Sequence, residues 1–419
     1  MALVSSSSLS AEAQLAITAL RVELDRAKPA SLRDRLRADL DPERLTRFCV
    51  YHGIAPSVCR ALKTIADAAA VGPLREVLTP SVRACAAAGL RKAQVLADIL
   101  RRFAKAGIET VPLKGTGIDV RFYDGPGRRK DGDHDLLVRQ NQLSDAARVL
   151  SEMGFQSSKP EAPPPSRWPE TIPKHHGPPF FLPDETGPPV PVELHWNVSP
   201  SELRFPLHNP ATVTQGIWSR SRSGSFLGAP VRWPAPIDEV LVLLLHAARH
   251  LTYGTAGLYV RLAMIEDIER ALAGLPDVDP ERLQKRVQGA GPVHILGPMR
   301  YLWRRALGAI PDELRAEPNE EWPPAWGHFL LSTPHLLGDL TTAQAGRGRP
   351  RIHKLRSALV SLLLLTRPAD RATLARQFLE DLFEPNEKDY EALPVELPPR
   401  TRWLYQPVRL ARLAWRLMR

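Results

Sequence analysis

Three carboxylates on two strand-like segments are the residues of this chain best suited to do chemistry. Asp133 and Asp135 lie in the run Asp-His-Asp-Leu-Leu-Val, and Glu193 lies in the run Val-Pro-Val-Glu-Leu-His-Trp. In a β-strand, residues i and i+2 point to the same face, so the two aspartates would project together. Neighbouring carboxylates repel one another, and a divalent cation such as Mg²⁺ stabilises them because it prefers oxygen ligands. The pattern therefore indicates a metal site that substrate phosphates would complete.

A glycine-bearing turn shortly before the acidic strand is suited to hold phosphate. Segment 108–113 is predicted to be a strand, and Lys114, Gly115 and Thr116 then turn the chain into a helix at about 118–122. Free N–H groups at a helix start attract anions, and glycine lets an anion approach closely. Lys114 would add a positive charge there, with a solvated turn lysine as the other interpretation.

A basic loop separates this helix from the acidic strand. The sequence Asp-Gly-Pro-Gly at 124–127 is typical of a loop, and Arg128, Arg129 and Lys130 follow it. A guanidinium group suits phosphate because its planar donors bind two oxygens at once. The loop therefore predicts a further phosphate contact, with a solvated run of charges as the alternative.

These motifs, taken together and in this order, resemble the nucleotidyltransferase superfamily that includes DNA polymerase beta. The turn Leu-Lys-Gly, the run Asp-x-Asp-Leu-Leu-Val with Arg129 four residues before Asp133, and the run Val-Glu-Leu-His-Trp resemble the bacterial uncharacterised nucleotidyltransferase family. The resemblance is strongest over about 111–198 and weaker around 246–250 and 404–407. One departure is that many active superfamily members have Gly-Ser where this chain has Lys-Gly.

The resemblance implies an α+β fold, in which a small mixed-sheet nucleotidyltransferase (palm-like) domain is flanked by N- and C-terminal helical regions. It implies transfer of a nucleoside monophosphate from an NTP to an acceptor, often a hydroxyl, with Mg²⁺ or Mn²⁺ as cofactor. The implied metal ligands and catalytic groups are Asp133, Asp135 and Glu193. The implied nucleotide-binding residues are Lys114, Gly115, Thr116 and Arg129.

The acceptor is the part of the reaction that the sequence leaves open. The resemblance allows a small molecule, a peptide, an RNA end or a protein hydroxyl. A non-catalytic protein that binds nucleotides or a partner is an alternative, which the Lys-Gly departure and the large helical flanks favour and the three acids oppose. Another alternative is a toxin–antitoxin-type transferase that modifies tRNA or a protein.

The acidic core is expected to lie between two helical regions. We predict an N-terminal helical region over 1–106, a nucleotidyltransferase core over 107–205 and a C-terminal helical region over 235–419. The core contains a proline-rich insert at 159–191. A hairpin at the end of this insert would bring Glu193 beside the two aspartates.

Local signals predict several element boundaries. Asp41 followed by Pro42 indicates a helix start, and Gly53 indicates the end of that helix. A long helix is predicted over 81–106, and Pro112 indicates that the strand before the glycine turn lies at a sheet edge or ends there. The N-terminal helices are interpreted as a scaffold, with recognition of the second substrate as the alternative.

Four histidines and one acid outside the core motifs have weaker signals. His246 and His250 share one face of an apolar helix and are expected to pack there or to line the cleft, since no third zinc ligand is evident. Asp267 matches an acid of the family pattern, with a solvated helix face as the alternative. His175 and His176 are expected to be an exposed loop pair, with a nucleotide contact as the alternative.

Composition is that of an ordinary globular protein with a basic balance. Of the 419 residues, 43% are hydrophobic and 24% are charged, and the net charge is +10. This balance favours anionic partners such as nucleotides, nucleic acid or a membrane surface, although the arginine-rich habit of a GC-rich genome produces it too. The three cysteines lack metal-like spacing, the start lacks a signal-peptide pattern, and no apolar run reaches the ~20 residues of a membrane span. We therefore expect a cytoplasmic protein.

The last segment, 400–419, has a composition of its own. It carries six arginines and no acids among leucines and tryptophans. An amphipathic helix of this kind would make a weak contact with an anionic membrane surface. Packing back onto the helical region is the alternative.

Overall fold

The computed structural model describes residues 9–130, 132–172, 175–183, 189–198, 210–250, 260–275, 278–291, 295–314, 361–362, 364–383 and 407. The predicted amphipathic tail and the tip of the predicted hairpin lie outside the described residues, apart from Pro407. Within the described part, helices flank a mixed five-stranded sheet, which confirms the α+β fold class.

Five helices precede the first strand in this part of the chain. They are α1 (Ala11–Glu23), α2 (Pro29–Arg35), α3 (Pro42–His52), α4 (Ala55–Lys63) and α5 (Ala68–Lys105). The Asp41 carboxylate accepts hydrogen bonds from the Glu43 and Arg44 N–H groups, which confirms the predicted start of α3. Gly53 ends that helix as predicted, with a φ of 73° that favours glycine.

Helix α5 is longer than the sequence indicated. It begins at Ala68 rather than near 81, and it includes Pro73 and Pro80. Each proline removes a hydrogen bond from a helix and usually breaks it. The first turns continue here because side chains such as Leu78 are buried in the apolar core, so tertiary packing outweighs the local preference.

The five-stranded sheet is mixed. Its strands are β1 (Thr110–Pro112), β2 (His134–Val138), β3 (Gln156–Ser157), β4 (Phe180–Leu182) and β5 (Val190–His195), in the order β1-β2-β5-β4-β3. Strands β2 and β5 run parallel, and the other neighbouring pairs are antiparallel. The connections contain α6 (Thr116–Phe122), α7 (Leu143–Glu152) and α8 (Trp168–Thr171). The predicted pairing of β4 with β5 is confirmed.

The sheet register brings the candidate acids together. Strand β5 returns along β2, and Asp135 is paired with Glu193 in the parallel register. Strand β1 lies at the sheet edge, as Pro112 predicts, because an edge strand tolerates a residue without an N–H donor. The turn from β1 to α6 therefore lies beside the acidic strand.

A second helical region follows the sheet. After α9 (Pro210–Arg220), strands β6 (Arg222–Phe226) and β7 (Ala229–Trp233) form a separate antiparallel pair. The next helices are α10 (Pro236–His250), α11 (Leu262–Gly274), α12 (Pro280–Ala290), α13 (Leu296–Leu307) and α14 (Pro368–Phe383). Among the described helices, none is apolar over a length that would cross a membrane.

The helices before and after the sheet share one apolar core. Leu15 of α1, Leu62 of α4, Leu244 of α10, Ile268 of α11 and Trp303 of α13 belong to the same buried cluster. Burial of each such side chain stabilises the fold by roughly 1.5–3 kcal/mol. A second cluster lies between the sheet and the helices α5 and α7. The sheet is therefore supported by segments from both sides of it in the chain.

Helix α5 and the basic loop touch backbone to backbone at two glycines. A Cβ atom on Gly89 would lie 2.4 Å from Cα of Gly127, and Gly127 itself has a φ of 81°. The buried Asp119 carboxylate holds the same loop, because it accepts hydrogen bonds from the Gly127 and Arg128 N–H groups over 2.5 and 3.2 Å. These contacts fix the loop that leads into the acidic strand.

Gly89→Ala is expected to lower the free energy of unfolding by about 1–3 kcal/mol, because the loop backbone must move away from the new methyl group. Gly289→Ala is the control, since a Cβ on this α12 residue meets nothing within 4 Å. It should leave stability unchanged or raise it by up to about 1 kcal/mol. Urea unfolding of both variants measures the difference, and equal stabilities would contradict the tight contact.

Candidate active site

Strands β2 and β5 place two acids and one histidine side by side. The Asp135 side chain is 1% exposed, and Glu193 lies next to it in the register. His195 Nε2 lies 2.8 Å from Asp135 Oδ1 and 3.4 Å from Glu193 Oε2. The three residues offer ligand atoms that all lie within 4.8 Å of one another, which suits a metal ion.

Lys114 neutralises the two aspartates. Its Nζ lies 2.7 Å from Asp135 Oδ2 and 3.8 Å from Asp133 Oδ1. Burial opposes the positive charge, but the two carboxylates outweigh it and raise the pKa of Lys114. The ammonium group therefore stays protonated between the acids.

The two aspartates have different electrostatic environments. The negative charge of Asp135, and then burial, raise the pKa of Asp133, whose side chain is 37% exposed. Burial also opposes ionisation of Asp135, but Lys114 and His195 outweigh it and hold the pKa of Asp135 below its usual range. Asp135 is thus ionised at ordinary pH, and Asp133 is the aspartate that takes up a proton first.

Both carboxylate oxygens of Asp135 fit a cation. They are buried, and they accept no well-directed hydrogen bond from the described residues. Lys114 and His195 lie close to these oxygens, but at angles that hydrogen bonds do not favour. The burial of the Asp135 charge is therefore compensated mainly by the opposite charges of these two residues. Two carboxylates and one imidazole are a donor set that divalent transition metals accept.

Asp133 stands apart from this group of ligand atoms. It precedes β2, is partly exposed, and does not belong to the group of Asp135, Glu193 and His195. The set Asp133, Asp135 and Glu193 therefore stays a prediction. The structure adds His195, which lies two residues after Glu193 on the same strand face. The alternation that grouped the two aspartates also places His195 with Glu193, although the sequence motifs did not single it out.

His175 and His176 are buried, so the prediction of an exposed loop pair is wrong. They are 4% and 8% exposed, and their ring centroids lie 4.9 and 5.0 Å from that of His195. Strand β4 pairs only with the first half of β5, and segment 175–177 pairs with the second half. This backbone pairing, which loop composition does not reveal, draws both histidines against the sheet.

The turn before α6 has an unusual backbone. Gly115 has φ of 74° and ψ of −133°, a conformation that residues with a Cβ rarely adopt. Thr116 is buried, and its Oγ1 lies 3.3 Å from Nδ1 of the buried His134. The Thr116 hydroxyl therefore faces His134. The role of Lys114, Gly115 and Thr116 in nucleotide binding stays a prediction.

Arg129 forms an ion pair with Asp267. Its Nη2 donates to Asp267 Oδ2 over 2.7 Å, and the Tyr123 hydroxyl donates to Asp267 Oδ1 over 2.7 Å. Asp267 is buried, so it does not belong to a solvated helix face. Arg129 and Asp267, which the sequence analysis considered separately, are thus partners in the structure. Asp267 orients the guanidinium group that is predicted to bind phosphate.

His246 and His250 lie near Lys114. Their ring centroids are 4.7 Å apart on α10. Burial, followed by the charge of Lys114, lowers the pKa of His246 well below its ordinary value and that of His250 to about 4. Both imidazoles are therefore neutral, and their position along the cleft, with that of Asp267, stays a prediction.

A cleft of about 930 Å³ opens beside the acids. It is lined by residues within 49–56, at the α3–α4 junction, within 81–92 of α5 and within 179–193 of the β4–β5 hairpin. Asp133 and Glu193 are part of its lining, and so is Lys130. We refer to it as the α5 cleft. The N-terminal helices thus contribute surface beside the acids as well as support.

The described residues form an α+β protein in which two acids and a histidine lie together on two parallel strands. The chain matches the family described as uncharacterised nucleotidyltransferase over residues 38–308, more than half of its length, and it belongs to this family. The chain is also similar to the crystal structure of an antigenic nucleotidyltransferase-like protein from Paracoccidioides brasiliensis, with 17% identity and a TM-score of 0.31. That alignment covers 52% of this chain and 92% of the other. No curated protein matches the chain.

The stability contribution of His195 is expected to fall as the pH rises. Burial opposes its protonation, but its contacts with Asp135 and Glu193 outweigh burial and raise the pKa of His195. A histidine whose pKa is raised by folding contributes its full stabilisation at pH values below its pKa in the unfolded chain, which is about 6.5. The contribution is lost as the pH rises through the pKa of the folded state. The free energy of unfolding of wild type minus that of His195→Gln should therefore be largest near pH ~6 and decline toward pH ~9.

Urea unfolding in a chelating buffer, at a series of pH values, measures this difference. His250→Gln is the control: the pKa of His250 lies at about 4, so its difference from wild type should be flat above pH ~7.5. A difference for His195→Gln that does not change with pH would mean that folding does not shift the pKa of His195.

Proposed function

We propose that this protein transfers a nucleoside monophosphate from an NTP to a hydroxyl group of an acceptor, with release of pyrophosphate. The proposal is carried by the pairing of Asp135 with Glu193 on two parallel strands, with Asp133 just before the first of them, in a chain of the uncharacterised nucleotidyltransferase family. Acids that stay ionised while buried are costly to keep unless they bind positive charge.

A divalent cation would be held by Asp135 and Glu193, with Asp133 at the exposed side. When bound, Mg²⁺ or Mn²⁺ would neutralise phosphate charge and lower the pKa of the attacking hydroxyl. His195 offers an imidazole nitrogen in the same group, and a first-row transition ion such as Mn²⁺ accepts nitrogen more readily than Mg²⁺, which is a hard cation that takes oxygen ligands. We therefore expect Mn²⁺ to support the reaction at least as well as Mg²⁺.

Glu193 is the proposed base for the attacking hydroxyl. Burial opposes its ionisation, but its contact with His195 and the charge of His176 outweigh burial and lower the pKa of Glu193. Its carboxylate is therefore ionised at ordinary pH, as both a base and a cation ligand must be. It also lines the α5 cleft, from which an acceptor can reach it.

The triphosphate would lie at the turn before α6. The N–H groups next to Gly115 and Thr116 would bind phosphate oxygens. Lys114 would exchange its contact with Asp135 for the β and γ phosphates, since its flexible stem allows the ammonium to move. Arg129, oriented by Asp267, would supply the second cation.

A second candidate is a non-catalytic protein that binds a nucleotide. The observation that favours it is the ion pair of Lys114 with Asp135 and Asp133, because an ammonium group already neutralises these acids. Isothermal titration of an NTP with and without Mg²⁺ separates the two candidates. Metal-independent binding without pyrophosphate release would support the second one.

Asp135→Asn is expected to reduce pyrophosphate release by at least about 100-fold, because the variant loses the buried charge that holds the cation. The measurement uses each of the four NTPs with Mg²⁺ or Mn²⁺ in a cell extract that supplies acceptors. Asp145→Asn, an exposed acid on α7, is the matched control and should behave as wild type. Equal release by folded Asp135→Asn and wild type would refute the metal assignment.

Arg129→Ala is expected to raise the NTP KM about tenfold, a loss of ~1.4 kcal/mol of binding. It should also lower the free energy of unfolding by roughly 3 kcal/mol, because Asp267 loses its buried partner. Tyr123→Phe removes only the hydroxyl that donates to Asp267 and should leave the KM unchanged. An unchanged KM in Arg129→Ala would remove Arg129 from the triphosphate site.

A further inference from the structure

The α5 cleft is large enough for a small molecule and leads to the acids. Its volume of about 930 Å³ lies in the range of roughly 300–1,000 Å³ that small-molecule sites occupy. A concave site of this size suits a compact ligand better than a duplex or a protein surface. The cleft shares Asp133 and Glu193 with the candidate active site.

The walls of the cleft are mostly apolar. On the α5 side, Ala84, Ala87 and Ala88 present small side chains, which leave the space open. On the opposite side, Pro179 and Phe181 of the β4–β5 hairpin present larger apolar surfaces. An apolar body between these walls would gain about 25 cal/mol for each Å² that it removes from water.

Two lysines place positive charge next to the acids. Lys92 donates a hydrogen bond from Nζ to the carbonyl of Gly132, the residue before Asp133. Lys130 donates from Nζ to the Val50 carbonyl over 3.2 Å. Both lysines line the cleft together with Asp133, so an anionic group bound by them would lie close to Asp133.

The geometry of phosphoryl transfer decides which substrate this cleft takes. The attacking and leaving oxygens lie roughly in line on opposite sides of phosphorus. The residues proposed for the triphosphate, Lys114, Gly115 and Thr116, do not line the cleft, whereas Asp133 and Glu193 do. A hydroxyl that enters from the cleft would therefore reach the acids without passing the residues proposed for the triphosphate.

We infer that the α5 cleft binds the acceptor, and that the acceptor is a small molecule with an apolar body and an anionic group close to its reacting hydroxyl. The inference rests on the proposed function. In the reaction, the hydroxyl oxygen forms a bond to the α-phosphorus while the bond from that phosphorus to the bridging oxygen breaks. Pyrophosphate takes the electron pair, and the hydroxyl proton goes to Glu193.

Ala84→Trp, which fills the cleft from an exposed helix position, tests the inference. The probe is 8-anilinonaphthalene-1-sulfonate, an apolar anion, and its fluorescence titration should show one saturable site on the folded wild-type protein. Ala84→Trp should weaken this binding at least about tenfold. Leu90→Trp is the matched control, because Leu90 is an exposed α5 residue outside the cleft lining, and it should bind the probe as wild type does.

Lys130→Ala provides a second variant that adds no bulk. It should weaken probe binding several-fold, and Lys130→Arg should restore it, because the positive charge attracts the sulfonate. Probe binding that is unchanged in both Ala84→Trp and Lys130→Ala would overturn the inference.

Measurements with labelled NTP show whether the α5 cleft binds the acceptor or the nucleotide. In the cell extract, Ala84→Trp should lose transfer of label from α-³²P-NTP to low-mass products, while its affinity for a non-hydrolysable NTP analogue stays within about twofold of wild type. A parallel loss of analogue affinity would assign the cleft to the nucleotide, and label on RNA or protein would refute the small-molecule class. Absence of transfer in wild type would count against the proposed function, and the probe titrations would still decide the chemistry of the cleft.

Discussion

The buried charge of Asp135 is the constraint on which the site depends. A carboxylate that is 1% exposed costs several kcal/mol unless opposite charge compensates it. The compensation comes from Lys114 in the turn before α6 and from His195 on β5. Because these partners lie on different segments, the one carboxylate ties the turn to both parallel strands. Loss of either partner would leave a buried charge, so the three side chains act as one unit.

Two further buried carboxylates, Asp119 and Asp267, hold the loop that leads into the acidic strand. Asp119 holds the loop after α6, and Gly127 of that loop lies directly on Gly89 of α5. Asp267 then orients Arg129 at the end of the same loop. Helices from before and after the sheet share one apolar core. The segments that carry the acids, the basic loop and the α5 cleft are therefore held in place by the same packing. Such support is what a site needs if catalysis depends on alignment.

Features that depend on neighbours in the chain were predictable from the sequence. The cap of α3 at Asp41 and its end at Gly53 follow from the chemistry of helix termini, and the structure confirms both. The pairing of β4 with β5 follows from a hairpin pattern, whereas the expectation that Glu193 lies beside Asp135 also needed the resemblance to the family, since these two residues are on distant segments. The α+β class followed from the motifs that resemble the family.

Features that depend on distant segments were decided only by the tertiary structure. The sequence determined which acids are present and how they are spaced, but it did not indicate that Lys114 would pair with Asp135 or that His195 would join them. It also predicted exposure for His175 and His176, which pairing with the second half of β5 buries. The physical reason is that a buried group takes its partners from whatever the fold brings within a few ångströms. Which groups come that close depends on packing across the whole core and not on spacing along the chain.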